Sequence, residues 1–191
     1  MIKKISSLLI LLSFLGSSYS LDVEFESDKT SFDSKKEILF LEGNVSLKYE
    51  NLIFKADKVV FDKKNDLFTS KKLTFSSLDN YLYGSANEVE ILKKNVILKK
   101  VEFSSCPCPN KIWWIESKEL NFKNGEDYIS TKNSKLIVQG RTLAFINKAN
   151  FPINYDRKTG ILLPEVSINE RSGLDVKIPV YLNLKTNLDL V

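Results

Sequence analysis

Apolar and polar residues alternate along most of this chain in runs of about ten, the period-two pattern of strands. Turn clusters separate the runs: Glu50-Asn51, Lys63-Lys64-Asn65-Asp66, Leu78-Asp79-Asn80, Lys93-Lys94-Asn95 and Lys123-Asn124-Gly125-Glu126-Asp127. Turns at that spacing predict the hairpins of an all-β sheet or jelly roll. One segment reads two ways. Val89, Leu92 and Val96 also fit a helical spacing, so a helix across 86–100 is the alternative there.

An internal repeat favours strand. Ala56-Asp57-Lys58-Val59 aligns with Ala86-Asn87-Glu88-Val89 and with Ser117-Lys118-Glu119-Leu120, at offsets of 30 and 31 residues. The flanks follow: Leu52, Leu82 and Trp113; Phe54, Gly84 and Ile115; Phe61, Ile91 and Phe122. In each copy the alternation slips by one after the small residue and then resumes. A strand bending at a β-bulge slips in this way, because one extra residue moves the side chains to the other face. A repeat of that length is one supersecondary unit stacked on itself. Up to about Ile146 the pattern therefore describes bent, stacked hairpins around one apolar interior, either an ordinary core or a trough. Lysine pairs recur at 35–36, 63–64, 71–72, 93–94 and 99–100. They protect sheet edges and aid solubility on one reading, and bind phosphate on the other.

From Gly160 the alternation is almost unbroken. Leu162, Pro164, Val166 and Ile168 are apolar, with Glu165, Ser167 and Asn169 between them. After a turn at Glu170-Arg171-Ser172-Gly173, Leu174, Val176, Ile178, Val180, Leu182 and Leu184 share one face of a second strand. Two such strands suit a transmembrane barrel, and equally a half-buried soluble hairpin. In a membrane two strands leave open edges, and a closed barrel has at least about eight. The chain is therefore expected to be the N-terminal piece of something longer.

The N-terminus reads as a targeting segment. Lys3 and Lys4 precede the apolar stretch Ile5 to Leu15, and Ser18-Tyr19-Ser20 offers a cleavage site. Residues 1–20 are taken as a signal peptide and Leu21 as the mature start. Removing two lysines and no acids lowers the net charge from +4 to +2, too mild for a nucleic-acid partner. The sequence has no histidine, which removes Ser-His-Asp chemistry and His-ligated zinc. Nothing in the composition asks for an enzyme, a cofactor or a metal. Cys106 and Cys108, in an exported protein, are expected to be oxidised. With a proline between them they are poorly placed to bond each other; free or metal-binding thiols remain the alternative.

Arg157 to Asp189, RKTGILLPEVSINERSGLDVKIPVYLNLKTNLD, resembles the junction between periplasmic domain and barrel in the LPS-assembly protein LptD family. Gly43-Asn44-Val45 and Phe54-Lys55-Ala56-Asp57-Lys58-Val59-Val60-Phe61-Asp62 are similar to the repeat shared with the periplasmic bridge protein LptA. Cys106-Pro107-Cys108-Pro109 resembles a cysteine-containing insertion of some members. The resemblance implies an OstA/LptA-like β-jelly roll of bent antiparallel strands over 21–150. Over 151–191 it implies a linker and the first strands of a truncated outer-membrane β-barrel.

It further implies lipopolysaccharide transport and assembly at the cell outer membrane, with the N-terminal domain in the periplasm. A trough would hold lipid A acyl chains on Leu52, Phe54, Ala56, Val59, Phe61, Leu82, Ala86, Val89, Ile91, Ile115, Leu120 and Phe122. Pro164 and Pro179 would weaken a lateral gate, and Cys106 and Cys108 would form disulfides with cysteines of the barrel. The implied partners are lipopolysaccharide, an LptA-like bridge protein and an LptE-like lipoprotein. Two other functions fit parts of the pattern. A soluble lipid shuttle of the LptA or LptC kind would share the repeat but not residues 157–191. A secreted β-solenoid enzyme would share only the repeat length.

Overall fold

The computed structural model describes residues 23–78, 82–93, 95–105, 111–123, 128–152, 159–169, 173–185 and 187–191. Ten strands form one antiparallel sheet: β1 (Val23–Glu26), β2 (Lys29–Asp33), β3 (Ile38–Tyr49), β4 (Leu52–Asp62), β5 (Leu67–Ser77), β6 (Tyr83–Leu92), β7 (Asn95–Ser104), β8 (Trp113–Lys123), β9 (Tyr128–Val138) and β10 (Arg141–Pro152). Neighbours in sequence are neighbours in the sheet from β3 to β10. β1 and β2 share the outer edge of β3, each pairing with one half of it. The expected all-β, jelly-roll-like architecture of bent antiparallel strands is present, connected as a meander. Residues 86–100 are strand, turn and strand rather than helix.

Each long strand bends at its middle, and the sheet closes over on itself. Phe103 on β7 meets Phe151 on β10 edge-to-face at 5.8 Å, although the two strands are not neighbours in the sheet. The Tyr49 hydroxyl at the end of β3 donates to the Lys93 carbonyl in the β6–β7 turn at 3.2 Å. One hydrophobic cluster fills the space between the two halves. The 30-residue repeat is one hairpin of this meander, with its small residues Ala56, Ala86 and Ser117 on β4, β6 and β8.

The phase slip is real but its cause differs from the bulge expected. On β4 the buried positions are Leu52 and Phe54, then Val59; on β8 they are Trp113, Ile115 and Ser117, then Leu120 and Phe122. Yet register is unchanged across this point in every pair from β4–β5 to β8–β9. Both neighbours slip together, so no residue is inserted on one side. The switch is made by a left-handed residue on each odd strand: Asn44, Lys72, Lys100 and Asn133. Within the ten-stranded sheet, among the described residues, register shifts fall in the flanking pairs, at Glu42/Val45 and Thr142/Ala144. At the first of them Gly43 has φ 77°, and a Cβ there would lie 2.6 Å from Asp28 Oδ2. Asp28 needs that space, because its carboxylate accepts from the Asn44 side chain at 2.9 Å.

Gly84 stands where its repeat mates carry Phe54 and Ile115. A Cβ on it would overlap the Phe75 ring and lie 2.5 Å from the Glu102 carbonyl oxygen. The glycine thus accommodates an aromatic from the adjacent strand. Gly84→Val is expected to lower stability by about 1–3 kcal/mol through overpacking, read as a lower urea midpoint at unchanged m-value.

The remaining strands are β11 (Gly160–Ile161), β12 (Glu165–Asn169), β13 (Gly173–Lys177), β14 (Val180–Lys185) and β15 (Leu188–Leu190). The two long strands expected here are a hairpin broken on both sides. β12 pairs with β13 from Glu165↔Lys177, whereas β11 pairs with β14 at Ile161↔Val180, one residue out of register. The breaks fall at residues 162–164 and 178–179, where Pro164 and Pro179 stand. A proline gives no amide to the ladder, so each strand stops where it meets one. The single face expected for Leu174 to Leu184 is therefore not continuous: Val176 packs against the core, while Leu174, Ile178, Val180 and Leu184 are exposed.

Candidate functional site

Cross-strand pairing turns the alternation of each strand into rows that run the width of the sheet. One inward-facing row passes through Phe25, Leu47, Phe54, Phe75, Gly84, Phe103, Ile115, Leu136 and Ala144. Another, in the opposite half, passes through Phe32, Leu39, Phe61, Phe68, Ile91, Val96, Phe122, Ile129 and Phe151. Phe61 and Phe68 stack at 4.1 Å within the second row. The result is an apolar strip that crosses nine strands without a charged residue.

All twelve residues expected to line the interior lie in this cluster or against it. Ten are buried, and Ala56 and Phe61 are partly buried and packed on the rest. The expectation covered mainly β4, β6 and β8. The odd strands contribute as much, through Phe68 and Phe75, Val96 and Phe103, and Ile129 and Leu136. Each of those pairs is seven residues apart, a spacing visible in the sequence. The two halves meet directly, so the interior is a packed seam rather than an open trough; burial of apolar surface draws the faces together.

The buried polar residues among the described ones are five serines and a threonine: Ser70, Ser117, Thr131 and Ser134 sit near where the strands bend, and Ser77 and Ser104 end β5 and β7. Ser117 Oγ and Ser134 Oγ share a hydrogen bond of 2.7 Å, Ser134 donates to Thr131 at 2.9 Å, and Thr131 donates to the Ala149 carbonyl at 3.5 Å. Ser70 donates to the Lys58 carbonyl at 2.6 Å. These bonds satisfy hydroxyls that burial would otherwise penalise. Charge is confined to the outside. Lys58–Glu42, Lys99–Glu90 and Lys132–Glu119 are paired at 2.6 Å across neighbouring strands. The Lys58 hydrogen bond holds the Glu42 carboxyl below its ordinary range, and Glu90 raises the Lys99 ammonium above its own. The first contribution fades as pH falls through the carboxylate range, the second as pH rises past the lysine range. Both are small at exposed positions.

The two ends of the strip differ. At the β1/β2 edge the rows run out into solvent: Phe25 is 42% exposed and Phe32 54%. At the β10 end Ile161, Leu163, Val166 and Val176 of the last strands pack against the interior. β11 comes in close, since a Cβ on Gly160 would lie 2.9 Å from Pro152 Cδ. The apolar path thus runs from an open edge to the broken hairpin that holds Pro164 and Pro179. Leu174, Ile178, Val180, Leu184, Leu188 and Leu190 of the last strands expose further apolar surface. Cys106 and Cys108, between β7 and β8, lie outside the described residues.

No family model matches the chain. It is homologous over most of its length to curated proteins named LPS-assembly protein LptD. That of Acinetobacter baylyi is 30% identical over 165 residues, covering 85% of this chain and 20% of the relative. That of Acinetobacter baumannii is 29% identical over 167 residues, covering 85% and 20%. That of Shewanella denitrificans is 26% identical over 165 residues, covering 86% and 22%. The chain therefore spans about a fifth of the length of these relatives. Among solved structures, the LptA-homologous periplasmic component LptH of the lipopolysaccharide transport device of Pseudomonas aeruginosa aligns with a TM-score of 0.47 at 10% identity. The alignment covers 64% of this chain and 99% of that one.

Proposed function

We propose that this chain is the lipid-receiving part of a lipopolysaccharide transport and assembly protein of the outer membrane, and that it moves lipid rather than catalysing a reaction. The observation that carries the reading is the apolar strip open at the β1/β2 edge and continuous with the last strands. The homology to LptD proteins supports lipopolysaccharide as the cargo. Acyl chains gain roughly 0.8 kcal/mol per buried CH₂, so a path that never exposes them to water favours their passage.

In this reading residues 1–20 direct export, 21–150 form a periplasmic domain, and 151–191 lead into a membrane barrel. Lipid A acyl chains enter between the two halves of the sheet from an LptA-like bridge protein docked at the β1/β2 edge. Free strand edges of this kind accept a partner strand readily. The chains leave near Pro164 and Pro179, where a barrel opens sideways; an LptE-like lipoprotein assists the barrel. Cys106 and Cys108 tie the domain to that barrel through disulfides.

Because the seam is packed, its halves must part to admit a chain, and residues facing inward should touch the lipid. A photo-crosslinking residue placed at Phe54 or Ile91 in cells is expected to capture lipopolysaccharide. One at Lys58, on the outer face, is not. Equal capture at all three positions would remove the interior from the route.

A further inference from the structure

The line where the sheet bends carries a second surface that the interior does not use. Asn44, Lys72, Lys100 and Asn133 cross it with φ of 45°, 52°, 50° and 51°. Asparagine tolerates that left-handed conformation through its short polar side chain, whereas lysine is disfavoured there. Two of the four positions hold lysine all the same. Strain kept at a surface position points to a use for the side chain.

The ladder also steps over this level. Pairing passes from Ala86↔Val101 to Glu88↔Lys99, leaving out Asn87 and Lys100, and from Val101↔Ser117 to Lys99↔Glu119, leaving out Lys118. On β9 it passes from Ser117↔Ser134 to Glu119↔Lys132, leaving out Asn133.

A concavity lies on the outer face at this place, lined by Asn87, Lys100, Lys118, Asn133 and Lys135. Two carboxylates, Glu102 and Glu116, share its wall and lower its positive charge. Glu116 accepts the Trp114 indole N–H at 3.2 Å, and Glu102 faces Lys111 at 4.0 Å. Lys58, Lys99 and Lys132 each have a glutamate at 2.6 Å, whereas among the described residues Lys100, Lys118 and Lys135 have no ion-pair partner. Three ammonium groups thus outnumber the two carboxylates of the wall, beside side-chain amides that can donate as well.

We infer that this concavity is an anion site for a phosphate group, either free or on a lipid headgroup. Lysine binds phosphate as a compact charge with rotatable donors, and asparagine adds directed N–H groups. The site is independent of what the interior carries.

The test uses the full chain in two arms at constant ionic strength: titration with inorganic phosphate, followed by the NMR signals of Asn87 and Asn133, and flotation with vesicles. The vesicles contain phosphatidylglycerol or, as control, phosphatidylcholine alone. The spine variant is Lys100→Asn with Lys118→Gln. Asparagine suits the left-handed position, so thermal stability should not fall. A matched control, Lys35→Gln with Lys36→Gln, removes the same charge at the β2–β3 turn. Binding in either arm is expected to weaken at least about tenfold in the spine variant and to persist in the control. The phosphate arm alone identifies a free anion; the phosphatidylglycerol arm identifies a headgroup. Absence of binding in both arms, binding that survives in the spine variant, or equal loss in the control overturns the proposal.

Discussion

Ile91→Lys is expected to unfold the ten-stranded sheet, while Leu92→Lys, one residue on, leaves it folded. Ile91 is 0% exposed and Leu92 is 43% exposed. Ile91 pairs with Phe68 on one side and Val96 on the other, in the centre of the inward row. An ammonium placed there loses its hydration and meets no acid, because the buried polar residues among the described ones are serines and a threonine. Burying an unpaired charge costs several kcal/mol even after relaxation. Domain stability is typically about 5–15 kcal/mol in total, so one such group is enough to bring the folded population down. Ile91→Val, which only trims a methyl group, should cost about 0.5–1.5 kcal/mol. Far-UV circular dichroism and urea titration of the three variants read the order directly. A folded Ile91→Lys protein with a normal urea midpoint would mean that the interior is hydrated, and the packed seam would be wrong.

That contrast tests the part of the fold that was most legible in the sequence. Alternation with a slip after Ala56, Ala86 and Ser117 located the inward residues of β4, β6 and β8, because burial on one face leaves a direct period-two trace. The mechanism of the slip was not legible. One strand's sequence shows that its phase changes, but only the partner's register distinguishes an inserted residue from a kink shared by both strands. Lys72 and Lys100 gave no warning, since lysine is an unusual choice for positive φ. The odd strands escaped because their small residues differ: Ser70, Lys99-Lys100 and Asn133-Ser134 do not align with the alanines. Phe25 and Phe32 lie on short edge strands whose exposure depends on having no further neighbour, which no local pattern records. At the other end, alternation over 162–184 suggested unbroken strands. It missed that Pro164 and Pro179 flank the same break of one hairpin, from its two strands, because which residues face each other depends on the pairing and not on either strand's own pattern.

That juxtaposition makes Pro164→Ala with Pro179→Ala the substitution pair with the largest expected effect on delivery. Residues 162–164 and 178–179 are the one stretch of the hairpin where the strand pattern lapses on both sides, and register changes by one residue across it. One backbone bond bridges the gap, from the Leu162 amide to the Pro179 carbonyl at 2.9 Å. Alanine restores two amides. Each new ladder bond adds a net 0.5–1.5 kcal/mol or so in water, and more where hydrocarbon is the alternative to pairing. The double variant should therefore have a more continuous, more stable hairpin. If the proposed route ends in a seam that parts beside these strands, the added stability opposes the parting. Introduced into the chromosomal gene, the pair is expected to leave protein levels normal while sensitising cells to large hydrophobic antibiotics. Each single variant should fall between, because one proline still interrupts one strand. The bland alternative is that both prolines only accommodate the register change, and then the doubly substituted cells would keep a wild-type permeability barrier. That result, with assembly intact, would separate the prolines from lipid release and leave them a role in shaping the hairpin alone.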